Sequence, residues 1–309
     1  MTFLDAAAAF ISYCASVRKL SPHTVRAYQL DVGRFAEFLG PGGLVASVSR
    51  TVIHDYVKHL FETRRLHAAS VKRHVATLRA FFHWCEDDGA VPATENPFRG
   101  VRINIRLPRR LPRVISRADL RRMLREDFSV AEATFHSLTA YVAIEVLFAT
   151  GIRVGELAAL PDCAVDLEDG TIVIVGKGDR QRRVFVPEEV VALLRQYRTE
   201  RARRAPTAVA FLVNSHGGAA SPQLLRRLVR THGERCAVRN RVTPHMFRHS
   251  VTTYLLEEGV DIRYVQRLLG HRSISTTEIY THVADASLKQ RIIEHHPRRT
   301  VVGSSRGTS

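Results

Sequence analysis

His245 and Arg248 stand three residues apart in the stretch TPHMFRHS, residues 243–250, directly behind a proline. Thr243 suits an N-cap and Pro244 suits the first helical position, so the spacing predicts a helix whose opening turns carry both side chains on one face. Free backbone N–H groups and the helix dipole favour an anion at such a place. An imidazole and a guanidinium there make phosphate the simplest ligand. Whether that phosphate is held or attacked depends on the residues that join the pair.

Arg153 lies in ATGIRVGEL, just after an apolar helix that Gly151 should stop and just before another that starts near Gly155. It either faces an anion from a tight turn or pairs structurally with Glu156. Lys177 sits between two glycines at the tip of a β-hairpin, a position that is often merely solvated. His271 follows Gly270, which should end a helix, and Ser275 to Glu278 has the S-x-x-E form of a capping box. Tyr280 falls in the helix that box would start. A tyrosine hydroxyl is a nucleophile when activated, but a core tyrosine is the other reading, and spacing alone does not separate Tyr280 from Tyr254 and Tyr264.

The elements that must carry these groups fall into two sets. Residues 1–96 read as helices only. Apolar positions recur at three- and four-residue steps in 21–39 (Val25, Tyr28, Val32, Phe35, Leu39), in 49–64 and in 70–89. The faces opposite these stripes carry Lys19, His23, Arg26, Lys72, Arg73, His74 and Arg79, either as solvated charge or as contacts to a polyanion. Residues 97–112 read as an extended linker holding Pro97, Pro108 and Pro112. Between Arg99 and Arg125, Arg109 and Arg110 among them, there are ten arginines and one acid, Asp119. Residues 113–296 mix helices (116–126, 137–150, 188–204, 221–236, 244–258, 261–269, 275–283) with one hairpin, 171–175 and 182–186, and a short strand at 210–213. Residues 297–309 read as a flexible tail.

The charge balance narrows the function. Lys+Arg 46 against Asp+Glu 30 gives a formal net charge of +16, which favours nucleic acid as partner. Cys14, Cys85, Cys163 and Cys236 form no Cys-x-x-Cys pair, so four buried reduced thiols are expected rather than a zinc or redox site. No carboxylate cluster has metal-ligand spacing, so neither metal nor cofactor is expected. No signal peptide and no membrane span are expected either. The protein is therefore expected in the cytoplasm, associated with the nucleoid.

ATGIRVGEL, HMFRHS, LLGH and IYTHV occur in this order along the chain. Together they resemble the signature of the tyrosine site-specific recombinases, or integrases, with a size and layout similar to the bacterial Xer-type members. LSPHTVRAYQLDVGRFAEFL, residues 20–39, resembles the family's SAM-like core-binding domain. The likeness spans about residues 5–295. It departs mildly at Phe247 and Ser250, where leucine and threonine are commonest.

The resemblance implies a mainly α fold with a small β-hairpin or sheet. It implies a two-domain clamp, with an α-helical SAM-like core-binding domain and a mixed α+β catalytic domain. It implies a DNA recombinase that forms a 3′-phosphotyrosine and a Holliday junction. Arg153 and Arg248 would clamp the phosphoryl oxygens, and His271 would donate a further hydrogen bond. Lys177 would protonate the leaving 5′-oxygen, His245 would accept a proton near Tyr280, and Tyr280 would attack. The implied partner is double-stranded DNA with paired inverted sites, bound by a homo-tetramer or by a hetero-tetramer with a related recombinase. Segment 285–295 would touch a neighbouring protomer, and no arm-binding domain is expected before residue 1. The basic linker slightly favours a mobile-element recombinase over a housekeeping one. Two other classes share parts of this pattern: a type IB topoisomerase, and a DNA-binding regulator on an integrase scaffold.

Overall fold

The computed structural model describes residues 1–100, 103–107, 113–124, 128–130, 133–176, 181–270 and 292–302. The chain divides into two compact units, Met1–Arg110 and Leu111–Ser309.

The first unit is a bundle of α1 (Phe3–Ser16), α2 (Pro22–Leu39), α3 (Arg50–Glu62) and α4 (Ala68–Asp87). Thr2, Ser21 and Ser49 cap the first three helices by accepting the N–H of Asp5, Thr24 and Val52. The apolar stripes meet in a core of packed aromatic rings. Phe3 lies 4.8 Å from Phe81 and 5.1 Å from Phe35, and Tyr56 packs edge-on against Phe35. Ile103 and Ile105, from the arginine-rich stretch, pack against the same core.

One helix organises the second unit. In α6 (Phe135–Thr150) nearly every side chain is buried, so it has no solvent face. It packs against α8 (Glu188–Arg204), α9 (Pro222–Arg235) and α10 (Pro244–Glu257). Gly151 ends it in the left-handed region at φ 63°. A Cβ there would lie 2.7 Å from the Leu269 side chain, so glycine is needed for the conformation and for the space. α5 (Arg117–Met123), α7 (Val154–Ala158) and α11 (Ile262–Leu269) are short. The antiparallel sheet runs β1 (Val165–Asp166), β2 (Thr171–Val175), β3 (Gln181–Phe185), with Ile172 opposite Val184 and Ile174 opposite Arg182.

Several expectations need correction. His74 is fully buried rather than on a solvent face. Its ring lies 3.3 Å from the buried Asp31 carboxylate and 3.3 Å from the Tyr56 hydroxyl. Residues 297–302 are not a flexible tail but form a helix, Pro297–Val302, held on the core. Arg298 donates to both carboxylate oxygens of the fully buried Glu145 at 2.9 and 3.0 Å, and Val301 is fully buried. The expected strand at 210–213 reduces to isolated bridges, Pro161 with Ala210 and Val213 with Ala219. Only Cys14 and Cys85 are buried; Cys163 is exposed and Cys236 half-buried. Thr243 occupies the N-cap of α10, but its hydroxyl makes no capping bond.

Candidate active site

The amino end of α10, the turn after α6 and the carboxyl end of α11 bring charged groups together in the second unit. Arg153 is the N-cap residue of α7, placed there by the Gly151 turn. Its backbone N–H donates to Glu156 Oε2 at 2.8 Å and its Nη1 to Glu156 Oε1 at 3.0 Å. The structural pairing with Glu156 is therefore present, but Glu156 is not Arg153's alone. Arg182 on β3 donates to the same carboxylate twice, at 3.1 and 2.8 Å. Burial alone would raise the Glu156 carboxyl, yet the bonds from Arg182 and Arg153 outweigh it and hold it below the ordinary range.

Arg248 is the most enclosed member, 7% exposed. Its Nη1 donates to the carbonyl of Gly151 at 2.8 Å and its Nη2 to that of Leu269 at 2.7 Å. It therefore ties the turn after α6 to the end of α11. Burial, and after it the Arg153 charge, push its guanidinium down to about 10, which still leaves it protonated at neutral pH. Three guanidinium groups act on one carboxylate here. The cluster keeps a surplus of positive charge in a partly desolvated place, which is the electrostatic character of an anion site. The Arg153 side chain is 45% exposed, so it can reach a ligand from solvent.

His245 is exposed one turn before Arg248. Partial burial, then the charges of His249, Arg248, Arg226 and Arg153, lower its imidazole below the ordinary value. A lowered imidazole is neutral at pH 7 and holds a lone pair able to accept a proton.

Lys177, His271 and Tyr280 lie outside the described residues, as do the capping box at 275–278, segment 285–291, Arg109 and Arg110. Their flanks are described. β2 ends at Val175, and Gly270 closes α11 in the left-handed region at φ 65°. The other two tyrosines are accounted for. Tyr254 is buried, donates its hydroxyl to the Ile115 carbonyl at 2.6 Å and carries Arg117 over its ring at 4.5 Å. Tyr264 packs half-buried against the core.

Among the predicted DNA contacts in the first unit, Arg26 and Lys72 are exposed on α2 and α4. Arg73 gives Nη1 to Asp31 at 2.6 Å, so part of its charge is neutralised within the bundle. Arg79 lies half-buried over the Phe98 ring at 5.6 Å. Among the described residues no group of three His, Cys, Asp or Glu side chains can hold a metal ion. No helix there is long and apolar enough to cross a membrane.

Arg182 is the functional candidate that motif spacing misses. Its signal is strand alternation: it shares a face with Val184, opposite Ile174, both core residues. A charged residue on the core face of a strand must be paired. Arg226, exposed on α9, is the second omission: its charge is one of those that lower His245.

Residues 114–287 match the phage integrase family, and residues 7–89 match the SAM-like amino-terminal domain of phage integrases. A tyrosine recombinase of Agathobacter rectalis is 32% identical over 298 residues, covering 94% of this chain and 95% of the relative. Tyrosine recombinase XerD of Bradyrhizobium diazoefficiens is 35% identical over 310 residues, covering 93% and 95%. In fold, the chain is similar to a lambda integrase (75–356) dimer bound to a COC′ core site. The TM-score is 0.68 at 17% identity, covering 91% of this chain and 100% of that one.

Proposed function

The chain belongs to the phage integrase family and is a tyrosine recombinase, and from that premise we propose how its own residues perform site-specific exchange. Tyr280 attacks one scissile phosphate of a duplex site. Its oxygen forms a 3′-phosphotyrosine while the bond to the 5′-oxygen breaks, and Lys177 gives that oxygen a proton. His245, neutral at working pH, takes the proton that Tyr280 loses. Arg153 and Arg248 hold the two non-bridging oxygens, where charge gathers in the transition state, and the dipole of α10 adds to their field. His271 donates to the same phosphate. Because the linkage conserves the bond energy, a 5′-hydroxyl from another strand reseals it without ATP. Four such exchanges through a Holliday junction require a tetramer on paired inverted sites.

The observation that carries this reading is the surplus positive charge of Arg153, Arg182 and Arg248 beside the start of α10, with one carboxylate, Glu156, paired to the first two. Such a cluster is costly to maintain without an anion, and a phosphodiester supplies one. Residues 1–96 and the arginine-rich linker 97–112, with Arg26, Lys72, Arg73, Arg79, Arg109 and Arg110, are assigned to the DNA backbone, so binding should weaken steeply with salt. Such an enzyme works in the cytoplasm on the nucleoid.

The test is to express the chain, isolate DNA that remains attached after denaturation, and sequence the attached ends. Ends clustered at one short inverted repeat support the proposal. Ends scattered along the DNA, or no attached DNA beside retained salt-sensitive binding, contradict it.

A further inference from the structure

We infer that Arg182 is a positioning residue for strand cleavage: it fixes the exit of α11, from which His271 emerges, relative to the turn that carries Arg153. The inference rests on the proposed reaction and deepens it.

The last carbonyls of a helix have no partner within it and normally go to water or to a cap. In α11 two consecutive carbonyls instead go to guanidinium groups. Arg182 Nε donates to Leu268 at 3.1 Å and Arg248 Nη2 to Leu269 at 2.7 Å. Each arginine also holds the 151–156 turn, Arg248 through the Gly151 carbonyl and Arg182 through Glu156. Two guanidinium staples thus join the same pair of segments. Gly270 seals the arrangement. A Cβ there would meet Cδ, Nε and Cζ of Arg182 at 3.2 to 3.3 Å, so the backbone before His271 lies directly on the Arg182 side chain.

Arg182 itself is 13% exposed and spends three donors on these contacts. With Nε and both Nη groups so engaged, it orients the segments around it rather than touching DNA. Its bidentate bond to Glu156 also fixes the two carboxylate oxygens that accept from Arg153. One side chain so fixes both the turn that carries Arg153 and the carboxyl end of α11 up to Gly270. Lysine cannot reproduce the fork: its single Nζ cannot meet both carboxylate oxygens and Leu268 at once.

The experiment compares wild type, Arg182→Lys and Arg182→Gln on a nicked duplex carrying the sequence recovered with wild-type adducts. It reads single-turnover adduct formation, duplex affinity and melting temperature. A second duplex carries a methylphosphonate at the scissile position, which removes the charge that the arginines must hold. The expected result is an adduct rate down by about tenfold or more in both variants, with affinity changed by less than about threefold. On the methylphosphonate the deficit should shrink by at least about threefold, because a misplaced Arg153 matters less there. A merely structural role gives the same deficit on both duplexes, and that result overturns the inference. So does an undiminished rate in a folded variant. Should Arg182→Gln fail to fold, Arg182→Lys carries the test alone. Failure of wild type to form any adduct would instead overturn the proposed function, and this inference with it.

Discussion

The docking of the carboxyl-terminal helix gives a prediction with a calculable size. Arg298 is 14% exposed and forms a two-bond pair with Glu145, which has no exposure. Removing one partner of such a pair leaves an uncompensated buried charge, at a cost of about 3–5 kcal/mol. In a domain the size of Leu111–Ser309, each kcal/mol moves the midpoint by about 2–4 °C. Arg298→Ala should therefore lower the calorimetric melting temperature of this unit by about 6–20 °C. Most of that loss is the stranded Glu145 carboxylate rather than the missing attraction. Adding Glu145→Gln to Arg298→Ala should then restore about 1–3 kcal/mol, since a neutral amide is less costly to bury. A shift below about 2 °C in Arg298→Ala would show that the helix is not held this way. A further loss on adding Glu145→Gln would refute the charge argument itself.

Other consequences are as direct. Asp31 accepts from Arg73 and Thr77 inside the amino-terminal bundle; Asp31→Asn should cost that unit about 1–3 kcal/mol, discounted because Arg73 is half-exposed. Trp84, the single tryptophan, lies in that bundle, so urea unfolding followed by its fluorescence measures the loss. Gly151→Ala forces a side chain into the left-handed region and against Leu269, and should lower stability by about 1–3 kcal/mol in thermal unfolding. Burial lowers His74, His232 and His245, outweighing the opposing pull of Asp31 on His74 and of the Met123 carbonyl on His232. The folded state then binds fewer protons than the unfolded state, so stability is full above about pH 6.5 and declines as the pH falls below it, toward the folded values. Urea midpoints between pH 7.5 and 5.5, on the order of two pH units, test the sign. The cleavage rate should fall along an acid limb that lies below the ordinary imidazole range, because His245 is lowered. Arg226→Gln removes a charge that lowers His245, and should move that limb upward.

The local signals that fixed single elements were plain in the sequence. Ser21 with Pro22 marks the start of α2, Gly151 and Gly270 end their helices as expected, and the hairpin lies where two β-branched runs flank the glycines. What escaped were features made by partners far apart in the chain. His74 belongs to the core because Tyr56 and Asp31, on two other helices, each lie 3.3 Å from its ring. The helix after His296 forms because Glu145 waits within α6 for Arg298; its own six residues give no pattern that would announce it. β1, two residues long, is too short for any alternation to show. The site divides in the same way. Motif spacing named Arg153, His245 and Arg248, which the fold gathers. It could not name Arg182, whose role appears only when β3 is registered against β2 and its guanidinium meets Glu156.

The central claim, that Tyr280 is the nucleophile, is tested most directly on the covalent product itself. DNA-linked protein would be digested with nuclease and protease, and the peptide bearing a nucleotide identified by mass spectrometry, with Tyr280→Phe as control. One modified peptide is expected, containing Tyr280 and joined through a 3′-phosphate, absent from the Tyr280→Phe protein. A nucleotide on Tyr254, Tyr264 or any other residue, or adducts that survive Tyr280→Phe, would contradict it.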